Sequence, residues 1–161
     1  MLTFEEIYHE NHKSIFRIAK KMVSNHDVVS DIVQEVFIDL FHKLNNKGEI
    51  RNPKSWLYRV TLNKCIDNVK RLNRFQGIET ISDYKTDQET IEEKELKDAI
   101  RAAISKLKNK ERMLAVLYSE GLSYREISEI TGIKYASLGK MISRTLEKLK
   151  LEFKNQGYEL Y

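Results

Sequence analysis

Apolar residues recur along this chain at intervals of three and four, the spacing of one face of an α-helix rather than the alternation of a strand. Phe4, Ile7, Tyr8, Ile15, Ile18, Ala19 and Met22 outline a first amphipathic helix. Val29, Ile32, Val33, Val36, Phe37, Leu40, Phe41 and Leu44 outline a second, with a stripe broad enough to belong to a core. Asn45-Asn46-Lys47-Gly48 breaks the pattern. Asn52-Pro53 then predicts a helix start, with Asn as cap and Pro at the first helical position, where its missing N–H costs nothing. This third helix carries Trp56, Leu57, Val60, Ile66, Val69 and Leu72.

From about residue 75 to 90 the periodicity is lost among Gly77, Ser82 and several acids, which predicts a linker. Helical spacing returns with Ile91, Leu96, Ile100, Ala103, Ile104 and Leu107, and then Met113, Leu114, Val116 and Leu117. Gly121 and Gly132 divide the remainder into further short pieces. The fold class expected is therefore all-α: two small helical domains, residues 1–74 and 91–161, joined by an acidic, flexible linker over 75–90. Six Gly and one Pro in 161 residues agree with long helices.

Composition narrows the class. No apolar run approaches the roughly 18 residues of a membrane span, so membrane insertion is not expected. Met1-Leu2-Thr3-Phe4-Glu5-Glu6 lacks the basic flank and apolar block of a secretory signal. Cys65, the single cysteine, can form no internal disulfide and no thiolate metal site alone, and the expected compartment is a reducing cytoplasm. His9, His12, His26 and His42 show no metal-ligand spacing with it, so neither a metal nor another cofactor is expected.

The net charge of +4 hides segregation. Residues 51–74 hold seven basic side chains against Asp67 alone, and residues 134–154 hold six against two acids. Between them, residues 79–98 hold eight acids against three lysines. Two basic blocks flanking an acidic stretch suit two contact surfaces for a polyanion, although solvated helix faces give the same pattern.

The second basic block carries a sharper signal. Ser123-Tyr124-Arg125-Glu126 has the form of a capping box, in which Ser and Glu each satisfy a free backbone N–H. Ile127 and Ile130 follow on one face, Gly132 supplies a left-handed helix end, and a new helix starts near Tyr135. Leu138 and Ile142 are placed in the core, leaving Lys134, Tyr135, Ser137, Lys140, Ser143 and Arg144 outward. That is the layout of a helix-turn-helix whose second helix reads the major groove. An ordinary helical hairpin with a Gly turn is the plainer alternative.

In the first basic block, Trp56 and Tyr58 are interleaved with Arg51, Lys54, Arg59, Lys64, Lys70 and Arg71. Cations that follow phosphates and aromatic faces that receive unstacked bases grip single-stranded nucleic acid this way. A Trp in a helix also serves as core. Opposite the apolar stripe of the second helix lie Asp27, Asp31, Gln34, Glu35 and Asp39, a face that meets either water or a basic protein surface.

Three segments together resemble a bacterial sigma factor of the extracytoplasmic-function group of the sigma-70 family: Asp31-Ile32-Val33-Gln34-Glu35-Val36-Phe37; Trp56-Leu57-Tyr58-Arg59-Val60 with Asn63 and Asp67; and Glu120-Gly121-Leu122-Ser123-Tyr124-Arg125-Glu126-Ile127. The likeness runs from about Phe4 to Phe153 in the family's order of region two, linker and region four. It implies that Asp31, Gln34 and Glu35 dock on the β′ clamp coiled coil of core RNA polymerase, with the β flap as a second polymerase contact. It implies that the stretch Asn45–Ser55, with Arg51, Lys54 and Ser55, together with Trp56, Arg59 and Asn63, opens and reads the promoter −10 element as single strand. It implies that Lys134, Ser137, Lys140, Ser143 and Arg144 read the −35 element as duplex. Also implied are a linker near the polymerase active centre and RNA exit path, and an anti-sigma partner able to hold the protein near the membrane.

Leu107-Lys108 stands where the family usually has Leu-Pro, and Gly139 or Met141 where it often has a basic residue. A stand-alone helix-turn-helix regulator is the competing expectation, but it would need neither the acidic helix nor the aromatic basic segment. The expectation is of no enzyme activity: the chain offers no evident nucleophile, metal cluster or general base.

Overall fold

A computed structural model describes residues 1–75 and 90–158. Among them every regular element is an α-helix: α1 (Phe4–Met22), α2 (His26–Asn45), α3 (Pro53–Phe75), α4 (Ile91–Ser105), α5 (Asn109–Ser119), α6 (Tyr124–Thr131) and α7 (Tyr135–Asn155). The chain forms two compact units, one built from α1–α3 and one from α4–α7. The predicted linker at 75–90 lies almost wholly outside the described residues.

The helix starts follow from local chemistry. Thr3 caps α1 through a capping box with Glu6, and Asn25 caps α2 by accepting from the Asp27 and Val28 N–H groups. Asn52 accepts from the Ser55 N–H at 3.2 Å, so Pro53 sits in the first turn of α3, as its fixed φ favours. Thr90 with Glu93 and Ser123 with Glu126 repeat the capping box at α4 and α6. Gly132 ends α6 in the left-handed conformation, φ 75°. The predicted fourth helical stretch breaks at residues 106–108, so that α4 and α5 are separate elements.

In the first unit α1 packs on both α2 and α3, and those two pack on each other. Ile15, Ile18, Val29, Val36, Leu40, Leu57 and Leu62 fill the interior. The buried face of α3 differs from the apolar stripe read in the sequence. Leu72 is 44% exposed, whereas Tyr58, Thr61, Cys65 and Asn68 are buried. Thr61 can be buried because its Oγ1–H donates back to the Leu57 carbonyl at 2.7 Å, leaving its methyl to pack.

In the second unit α7 is the hub, packing on α4, α5 and α6. Leu114, Leu117, Ile127, Ile130, Leu138 and Ile142 form its core. Arg112 is buried beside them and donates to the Ser105 carbonyl at 3.2 Å, tying the end of α4 to α5. Lys148 on Glu111 at 2.6 Å and Lys106 on Glu152 at 2.9 Å add surface ties, each worth little in water.

Candidate functional site

The turn between α6 and α7 is fixed by short polar bonds. Ser128 Oγ donates to the Ile133 carbonyl at 2.6 Å, and the Ile133 N–H donates to Thr131 Oγ1 at 3.2 Å. Together with Gly132 these bonds set the angle at which α7 leaves α6. With Leu138, Ile142 and Thr145 buried, the opposite side of α7 faces outward. Lys134, Tyr135, Ser137, Lys140, Ser143 and Arg144 are all exposed. The cap of α7 makes no side-chain hydrogen bond and its first turn holds no acid, so the positive end of the helix is uncompensated and suited to an anion. Gly139 faces Tyr124, whose ring a Cβ would meet at an ordinary 3.7 Å.

In the other unit the residues proposed from sequence fall into different settings. Arg51, Lys54, Arg59 and Asn63 are exposed. Trp56 is half-buried, with Lys43 Nζ 5.7 Å from its ring centroid. Tyr58 is buried, and Lys54 Nζ lies 5.7 Å from its ring, which makes it core rather than a free stacking surface. Ser55 departs from the expectation of a surface contact: at 6% exposure it belongs to the first turn of α3, held by the Asn52 cap. Upstream, the chain leaves α2 through a tight turn in which the Gly48 N–H donates to the Lys43 carbonyl at 2.9 Å.

Asp31, Gln34 and Glu35 are exposed together on α2. Sequence reading did not foresee that α3 reaches this face. Lys64 Nζ lies 3.0 Å from Asp39 Oδ2 and 3.5 Å from Glu35 Oε2. Burial alone would lower the Lys64 pKa, but the hydrogen bond and charge of Asp39, joined by Glu35, hold it above the ordinary lysine value. Positions 28, 31, 32 and 35 of α2 and 64, 67, 68 and 71 of α3 line one groove of about 360 Å³. Both sets have the spacing of a single helix face. No signal in the linear sequence could have paired them, because residues such as 35 and 64 meet only when the helices pack.

The family model described as Sigma-70 region 2 matches residues 7–75, and that described as Sigma-70, region 4 matches residues 97–149. The chain belongs to the sigma-70 family, in its extracytoplasmic-function group. Among relatives of this sigma-family chain is the ECF RNA polymerase sigma factor SigE of Mycolicibacterium smegmatis, 27% identical over 93% of this chain and 61% of that protein. Another is the RNA polymerase sigma factor SigZ of Bacillus subtilis, 28% identical over 92% of this chain and 86% of the relative. This chain therefore spans less than two thirds of the SigE relative's length.

Two solved structures share the fold. The sigma factor RpoE of Bartonella quintana, in complex with the anti-sigma factor NepR, matches with TM-score 0.73 and 20% identity over 94% of this chain and 96% of that one. CnrH, in complex with the cytosolic domain of CnrY, matches with TM-score 0.70 and 22% identity over 94% and 88%. Among the described residues no helix is long and apolar enough to cross a membrane.

Proposed function

We propose that this sigma-family chain is a dissociable promoter-specificity subunit of RNA polymerase, with residues 1–74 docking on the core enzyme and holding the melted −10 element and residues 91–161 holding the −35 duplex. The observation that carries the reading is the pairing, in one chain, of an exposed acidic face on α2 with an exposed, basic, uncapped start of α7. Phosphate is repelled by the first surface and attracted by the second, so one suits a basic protein and the other DNA.

Asp31, Gln34 and Glu35 serve as the polymerase contact. Arg51, Lys54, Trp56, Arg59 and Asn63 hold the −10 strand, with Ser55 shaping the turn that presents them. Lys134, Ser137, Lys140, Ser143 and Arg144 read the −35 element. Opening the promoter costs a few kcal/mol per unstacked base. A factor that captures the extruded bases while its other unit keeps hold of duplex stabilises the open state, because the tether raises the local concentration of the second contact. Phosphodiester bond formation belongs to the polymerase, and this chain decides where it starts. An anti-sigma factor is a further partner of this reading, and the cytoplasm its place of action.

Run-off transcription tests the proposal. Purified chain added to core polymerase on genomic fragments is expected to give transcripts with defined starts. Duplex binding without any such start would instead support a stand-alone helix-turn-helix regulator.

A further inference from the structure

Tyr124 opens α6 and Tyr135 opens α7, and both remain in solvent, 37% and 58% exposed. Gly139 borders the two. It shares a helix face with Tyr135, four positions earlier, and a Cβ built on it would meet the Tyr124 ring at 3.7 Å. Among the described residues nothing else beyond its own helix backbone and chain neighbours comes within 4 Å of that point. A helical side chain leans back over the preceding turn, so one at position 139 would cover Tyr135 and Ala136. With none there, the exposed Ala136 and the bare backbone at Gly139 floor an open notch with a tyrosine at each side.

No residue of this notch carries charge, yet Lys134, Lys140 and Arg144 are exposed on the same stretch of chain. The surroundings draw a polyanion, while the notch itself rewards an apolar group that takes the tyrosine rings out of water. Duplex DNA carries one such group on its major-groove edges, the C5-methyl of thymine. We propose that the notch of Tyr124, Tyr135, Ala136 and Gly139 receives a thymine methyl of the duplex that α7 binds, and so fixes the base at one position of the −35 element. The inference rests on the −35 reading above and adds an uncharged reader to its cations and hydroxyls.

A randomised duplex pool selected by the full chain bound to core RNA polymerase supplies the −35 sequence. Deoxyuridine in place of each thymidine then removes one methyl at a time without altering the pairing, and anisotropy of the labelled duplex reads Kd. At one −35 position the exchange is expected to raise Kd about fourfold, the transfer of one buried carbon. Tyr124→Ala should bind the two duplexes equally, and Tyr124→Phe should keep the difference, because the ring and not the hydroxyl makes the contact. Gly139→Arg fills the notch, and is expected to replace the thymine preference by one for guanine, the base an arginine reads best. Helical circular dichroism checks the fold of each, and Gly139→Arg decides the matter if Tyr124→Ala fails to fold. Two results overturn the inference: no −35 thymidine sensitive to the exchange beyond 1.5-fold, or an equal penalty in wild type, Tyr124→Ala and Gly139→Arg. In either case a duplex weakened by Lys140→Ala with Arg144→Ala leaves the −35 reading standing. If that double variant also binds as wild type does, both readings fall.

Discussion

At Gly48 a Cβ would lie 2.8 Å from the Lys43 carbonyl oxygen, whereas at Gly139 its nearest neighbour would be the Tyr124 ring at 3.7 Å. Backbone cannot yield as a flexible side chain can, so Gly48→Ala is expected to destabilise the first unit by about 1–3 kcal/mol. Gly139→Ala is expected to stabilise the second by up to about 1 kcal/mol, because alanine removes the entropy cost of glycine inside α7. Urea denaturation of each variant checks both signs. Cys65 is buried, and burial pushes its thiol up from 9.0 to about 12. The folded thiol thus keeps its proton at pH values where the unfolded one has lost it. Its contribution is complete below pH 9 and is lost as pH rises toward 12, by a few kcal/mol in all. Cys65→Ala is expected to lose less stability than wild type between pH 8 and pH 10.5 in urea titrations. An equal loss in the two proteins would remove the thiol as the cause.

Within an element, periodicity locates the helix more safely than it locates the buried face. The spacing of apolar residues marks α3 as a helix, and the Asn52-Pro53 signal marks its start. Its inward side nevertheless includes Thr61 and Asn68, and its outward side Leu72, because two neighbouring helices, not residue type alone, decide which positions lose water. In α7 the reading is simpler. Leu138, Ile142 and Thr145 are buried at helical spacing, and Lys140 and Arg144 lie on the opposite side. Lys140→Ala with Arg144→Ala is expected to weaken duplex −35 binding and to reduce the slope of log affinity against log salt by roughly 2, one for each phosphate deprived of its cation. Binding of a single-stranded −10 oligonucleotide should be unchanged. Parallel weakening of both in anisotropy titrations would contradict that separation.

At the scale of the whole molecule, each unit has its own interior, so a surface charge can be changed on one without opening the core of the other. Asp31→Arg with Glu35→Arg is expected to abolish association with core polymerase while leaving the helical circular dichroism and the duplex affinity of α7 intact. Retained tight binding in a pull-down would count against docking through α2. Basic and acidic blocks are segregated by segment, and a segment that folds as a short helical unit keeps its charge on its own surface.

The sequence by itself determined the all-α class, the capping boxes, the left-handed Gly132 and the outward row from Lys134 to Arg144, because these depend on residues three or four positions apart. The burial of Ser55 and Tyr58, the reach of Lys64 to Glu35 and Asp39, and the groove holding Asn68 were decided only by tertiary packing. The Lys64 contacts and the groove join side chains some thirty positions apart, and only the docking of α3 against α2 brings their charges and hydrogen-bonding atoms to one place.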